Sequence, residues 1–152
     1  MQSCQKTRLA RFAAMKKSCP DQIYLQHQIK GQILAHAAST PAIEVCGLLG
    51  GHGNRALSVY PVKNIARDQS SRFLMDPEQQ IAAMRNMRER GEEFWGIYHS
   101  HPCSPAIPSI RDKQNAAYPD VFYFILSLEE TLPVMKCFYF DGEDFLEVSI
   151  NQ

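Results

Sequence analysis

The 152-residue sequence contains no run approaching the ~18 consecutive apolar residues that a membrane-spanning helix needs, so no membrane partner is expected. Its early apolar stretches are interrupted by Arg11 and Lys16, and no secretory h-region is visible. Net charge is lacking as well. Lys+Arg and Asp+Glu number 16 each, without the strongly basic footprint of a nucleic-acid binder. The five cysteines, at 4, 19, 46, 103 and 137, include no Cys-x-x-Cys pair. That argues against a disulfide framework and a four-cysteine zinc site, and the expected setting is reduced and cytoplasmic. Neither Gly-x-Gly-x-x-Gly nor a phosphate-loop lysine motif occurs, which disfavours nucleotide binding. Acidic residues are missing from the first twenty positions, which hold Lys6, Arg8, Arg11, Lys16 and Lys17.

What is present fits one domain with a substantial core: 45% hydrophobic and 21% charged residues are ordinary globular values. Residues 1–20 read as a basic N-terminal extension ending at Pro20, and 21–152 as the domain. Ile29, Ile33, Leu34, Ala37 and Ala38 share a helical face that Pro41 ends. Val45–Gly51 reads as a buried strand closing in a glycine turn, with further strands at Ala56–Val62 and Arg72–Met75. Asp76-Pro77-Glu78-Gln79 is a strong helix start, followed by an Ile81, Met84, Met87 stripe and an end at Gly91. Phe94–His99 and Val121–Leu128 are buried strands. A third helix begins at Ser109 and stops before Pro119. Val134–Phe140 and Asp144–Ile150 flank Asp141-Gly142, a hairpin signal. The fold class is α/β (α+β): a single domain with a curved mixed sheet and about three helices. Exposed strand edges in such a sheet could pair, and the oligomeric state stays open.

One constellation carries chemistry: His99-Ser100-His101-Pro102, six residues, then Ser109-Ile110-Arg111-Asp112. Two residues apart on a strand, His99 and His101 project to the same side and can reach one metal. Asp112, in the first turn of the next helix, can return as an oxygen ligand. Three protein ligands with an open fourth position is how a catalytic zinc is built. Taken singly, each part has a plainer account. A histidine pair at a strand end is commonly a polar rim, and Ser109-x-x-Asp112 is a good helix cap. Together the spacing should occur by chance on the order of once per million positions. A base is also needed; Glu44 precedes a buried strand, and is either that base or a solvated carboxylate at a helix end.

Glu44, His99-Ser100-His101-Pro102, Ser109 and Asp112 resemble the JAMM motif of the MPN-domain metalloproteases. Glu44-Val45-Cys46-Gly47-Leu48-Leu49, Pro108-Ser109 and Ala117-Tyr118-Pro119-Asp120 look like the small stand-alone prokaryotic members. The likeness runs from about Ile23 to Ile150. It implies a fold similar to cytidine deaminases and one Zn2+ held by His99, His101 and Asp112. It further implies that Glu44 accepts the proton of the attacking water and passes it to the leaving amine, while Ser109 donates a hydrogen bond to the oxyanion. The implied substrate is a ubiquitin-like or sulfur-carrier protein of β-grasp type, cut after its C-terminal Gly-Gly tail. Ser100, facing the opposite side of the strand, is left a structural hydrogen-bonding role. Cys103 is a candidate fourth, inhibitory ligand. A non-catalytic MPN-type scaffold is the alternative, although such scaffolds usually lack a ligand and none is missing here. A nucleoside deaminase is rejected, because that class expects His-x-Glu and Pro-Cys-x-x-Cys.

Overall fold

Alternation and turn chemistry account for most elements of the computed structural model, which describes residues 17–152. Residues 1–16 of the expected extension lie outside the described residues. In chain order the elements are β1 (Gln22–Tyr24), α1 (His27–Ser39), β2 (Cys46–His52), β3 (Arg55–Val62), α2 (Pro77–Glu89) and β4 (Glu93–His101). Then come α3 (Ile110–Asn115), β5 (Val121–Ser127), β6 (Val134–Phe140) and β7 (Phe145–Asn151). Asp76 caps α2, its side chain accepting from the Glu78 and Gln79 amides, with Pro77 opening the helix. Gly142, at φ 102°, supplies the positive φ of the turn joining β6 to β7. No described helix is long and apolar enough to cross a membrane.

The sheet is mixed and closed, in the order β1-β3-β2-β4-β5-β6-β7, with β1 pairing in parallel to both β3 and β7. Closure rests on β1, whose three residues are too short to show a period: it meets β3 at Arg55 alone and β7 at Ser149–Asn151, so most of the outer edge of β3 has no strand partner among the described residues. Strand alternation divides the core in two. Ile29, Ile33 and Ala37 of α1 pack with Leu49, Tyr98 and Phe124, while Ala83 and Met87 of α2 pack with Leu48, Ile97 and Ile125. Along β4, His99 and His101 continue the Ile97 side, and Ser100 continues the Tyr98 side.

Three local readings are corrected. The α2 stripe is rotated: Ala83 and Met87 are buried, whereas Ile81 is 60% exposed. Ala38 faces solvent. Arg72–Met75 is not a strand; it makes a lone bridge, Asn64 to Met75, because the Asn64 side chain rather than a backbone ladder takes the Leu74 amide.

Gly47 sits opposite Tyr98 across the β2–β4 pairing, and the tyrosine ring fills the space where a Cβ would stand. Tyr98 is 1% exposed and its hydroxyl is hydrogen-bonded to His36 Nδ1 at 2.7 Å, so the ring has nowhere to retreat. Gly47→Ala is expected to cost about 1–3 kcal/mol of stability, the usual range for overpacking, measured by denaturant unfolding. An unchanged midpoint would show that the ring yields freely.

Candidate metal centre

The end of β4 and the start of α3 build the site together. His99 and His101 are both 2% exposed on one face of the strand. Their Nε2 atoms lie 3.0 Å apart, and each is 3.2 Å from Asp112 Oδ2. The capping box of α3 is what aims that carboxylate. Ser109 Oγ accepts from the Asp112 amide at 3.0 Å, and Asp112 Oδ2 accepts from the Ser109 amide at 2.8 Å. Helix cap and candidate ligand are thus one oxygen atom, not competing accounts of Asp112.

The donor set fits a metal ion. Bonds of ~2.0–2.1 Å in a tetrahedral site set adjacent donors about 3.3 Å apart, close to the observed separations. Among the described residues, His99, His101 and Asp112 are the group able to hold one. Their neighbours prepare them. His101 Nδ1 donates to the Pro105 carbonyl at 2.8 Å, so in the neutral ring it is the Nε2 lone pair that faces the site. Phe73 stacks on the His99 ring at 4.5 Å. Neither partner was anticipated: a backbone carbonyl has no sequence signature, and Phe73 reads as a strand residue.

Electrostatics agree with a cation-seeking centre. Burial disfavours the Asp112 charge, but hydrogen bonds from His101 and His99 outweigh it and hold this carboxyl well below the usual range. Burial lowers His99 despite Asp112. For His101 burial also opposes charge, but the hydrogen bonds with Asp112 and Pro105 win and raise it.

Glu44 is not a solvated helix-end residue. It is 5% exposed, and its Oε2 has no hydrogen-bond partner among the described residues. The register Cys46 to His99, carried two residues further, places it beside His101. Burial pushes its carboxyl up to about 7; His101 and Arg111 pull down and Asp112 pushes up. Ser100 holds the backbone on either side of Glu44, its Oγ accepting from the Val45 amide at 2.9 Å and donating to the Ile43 carbonyl at 3.4 Å. Cys103 is exposed and lies outside the His99, His101 and Asp112 group.

A cleft of about 720 Å³ runs past His99 and Asp112, walled by the 66–75 loop on one side and 111–118 on the other, with Ile97 and Tyr123 also lining it. A second hollow of about 640 Å³, lined by Trp95, Phe122 and Tyr139, contains none of these groups.

Residues 26–139 match the family of prokaryotic homologs of the JAB domain, Prok-JAB. The chain belongs to this family. It is accordingly an enzyme, a peptidase of the JAMM type. The desampylase of Haloferax volcanii is 31% identical over 127 residues, covering 80% of this chain and 89% of the relative. The CysO-cysteine peptidase of Mycobacterium tuberculosis is 28% identical over 110 residues, covering 71% and 75%. A solved protein structure from Desulfitobacterium hafniense superposes on this Prok-JAB chain with a TM-score of 0.77 and 38% identity, covering 86% and 92% of the two chains.

Proposed function

We propose that this Prok-JAB chain is a zinc-dependent peptidase or isopeptidase that cuts after the C-terminal Gly-Gly tail of a ubiquitin-like or sulfur-carrier protein. The observation that carries this reading is the convergence of His99 Nε2, His101 Nε2 and Asp112 Oδ2 beside the buried Glu44 carboxylate, whose Oε2 has no hydrogen-bond partner among the described residues. Relatives named for removing a modifier or releasing cysteine from a carrier support the substrate class. His99, His101 and Asp112 would hold Zn2+, which when bound supplies an acidified water and polarises the scissile carbonyl.

The chain's own residues do the rest. Glu44, with a carboxyl poised near neutrality, takes the proton of the attacking water and returns it to the leaving amine. Ser109 Oγ accepts from the Asp112 amide, so its own O–H remains to donate to the developing oxyanion. The cleft between the 66–75 loop and 111–118 receives the tail, and two glycines pass where side chains would obstruct.

Ser109→Ala should lower kcat by about 10²–10³-fold, as loss of one oxyanion donor does, and should cost about 1 kcal/mol as a lost cap. Steady-state kinetics beside zinc analysis separates the two effects; wild-type kcat at full zinc occupancy would remove the oxyanion role.

The deciding experiment is intact-mass spectrometry of β-grasp carriers extended beyond Gly-Gly, incubated with wild type, with Glu44→Gln, and with wild type plus chelator. Mass loss at the Gly-Gly boundary with untreated wild type alone supports the proposal. Absence of both cleavage and bound zinc would overturn it.

A further inference from the structure

The buried Oε2 of Glu44 has no partner among the described residues, so the carboxylate takes its position from the backbone that carries it. That backbone is gripped from one side by Asn64, a 6% exposed residue in the segment after β3. Asn64 Nδ2 donates to the Glu44 carbonyl at 2.8 Å and to the Arg72 carbonyl at 3.0 Å. Its Oδ1 accepts from the amides of Ala66 at 2.9 Å and Leu74 at 3.0 Å. An asparagine side chain offers two donor hydrogens and two acceptor lone pairs, and here all four are used. Flipping the amide would set donors against N–H groups, so the network itself fixes its orientation. A second tie runs alongside: the Glu44 amide donates to the Gln69 carbonyl at 2.7 Å, and Gln69 Nε2 donates to the Asn64 carbonyl at 2.9 Å.

A simple turn would need only the bond from Ala66 N–H to Oδ1. The two donor bonds go elsewhere, to residue 44 and to residue 72. Ala66, Arg72, Phe73, Leu74 and Met75 all line the cleft, and Phe73 lies against His99. The geometry points to Asn64 as a positioning residue of the hydrolytic reaction: one buried amide joins the backbone bearing Glu44 to the loop that walls the cleft, fixing the spacing between base and bound tail. This rests on the peptidase reading of the same site. A displacement of about 1 Å in such a constellation can cost 10²-fold in rate, which sets the scale of the effect.

The test uses the full zinc-loaded chain and a Gly-Gly-extended carrier. Asn64→Ala is expected to lower kcat by about 10²-fold with zinc stoichiometry unchanged. Asn64→Asp keeps an acceptor for Ala66 and Leu74 but loses both donor bonds, and should lower kcat similarly if Asn64→Ala proves too unstable to assay. In a Glu44→Gln background, Asn64→Ala should cause no further loss, because the group it positions is already gone. Wild-type kcat in the Asn64 variants, or the same fold-loss with and without Glu44, would overturn the inference. A readout independent of turnover is amide exchange in the metal-free chain. The amides of Glu44, Ala66 and Leu74 should quicken together in Asn64→Ala while those of Phe124 and Phe138 stay slow. Quickening confined to the loop, with the Glu44 amide unchanged, overturns the coupling. A wild-type protein that cleaves no carrier overturns the peptidase reading instead, and the exchange result then decides the bracing alone.

Discussion

Glu44→Gln is expected to lower carrier hydrolysis by about 10²–10⁴-fold, the usual contribution of a positioned general base, while zinc remains bound. Gln preserves size and burial but cannot accept the proton. The variant also isolates a pH effect in the chelated protein. With its carboxyl pushed from 4.5 up to about 7, folded wild type keeps a proton that the unfolded chain has released. Between about pH 4.5 and about 7, Glu44 therefore makes stability fall as pH rises. Gln has no proton to release, so the variant gains on wild type across that window. Denaturant unfolding of both proteins over the window checks this, and a difference independent of pH would contradict the burial argument. Full hydrolysis by the variant would overturn the base assignment.

Asp112→Ala should remove metal and activity together. Loss even of an outer-shell partner commonly costs 10–100-fold in metal affinity, so a lost ligand should cost more than about 10²-fold. The same change removes the acceptor for the Ser109 amide, and α3, only six residues long and without a buried residue, has little else to hold its first turn. Asp112→Asn separates these roles, because it keeps an acceptor oxygen for the cap without the carboxylate charge. Zinc analysis and circular dichroism on both variants report ligation and helix content. Full zinc occupancy in Asp112→Ala would overturn its place among the ligands.

Features with a period or a named functional group were legible before the fold was known. The alternation along β4 puts His99 and His101 on one side, and the spacing of Ser109 and Asp112 predicts the capped turn that returns the carboxylate. The unbroken apolar run of β5 and the Asp141-Gly142 turn were equally plain. Arg72–Met75 misled because a side chain, Asn64, takes over a strand's hydrogen bonds. The Pro105 carbonyl behind His101 and the Phe73 ring over His99 depend on loop shape, which residue identity does not encode. Burial of Glu44 depends on segments distant in sequence: β4 through Ser100, and the 64–69 stretch.

Closure of the sheet has a dynamic consequence. The seam is β1, joined to β7 at Gln22–Tyr24 and to β3 only through Tyr24 and Arg55. It links the two ends of the described chain, so its pairing carries the largest loop-closure entropy in the sheet and should form late in folding. The least supported ladder is also the first to breathe, and amides of β7 that bond toward β1, such as Ser149, should exchange before those bonded toward β6; equal exchange would contradict a weak seam. Each opening uncovers backbone groups on β3 and β7 at once. Opening of the barrel should therefore begin at Tyr24 rather than at the metal-bearing strand.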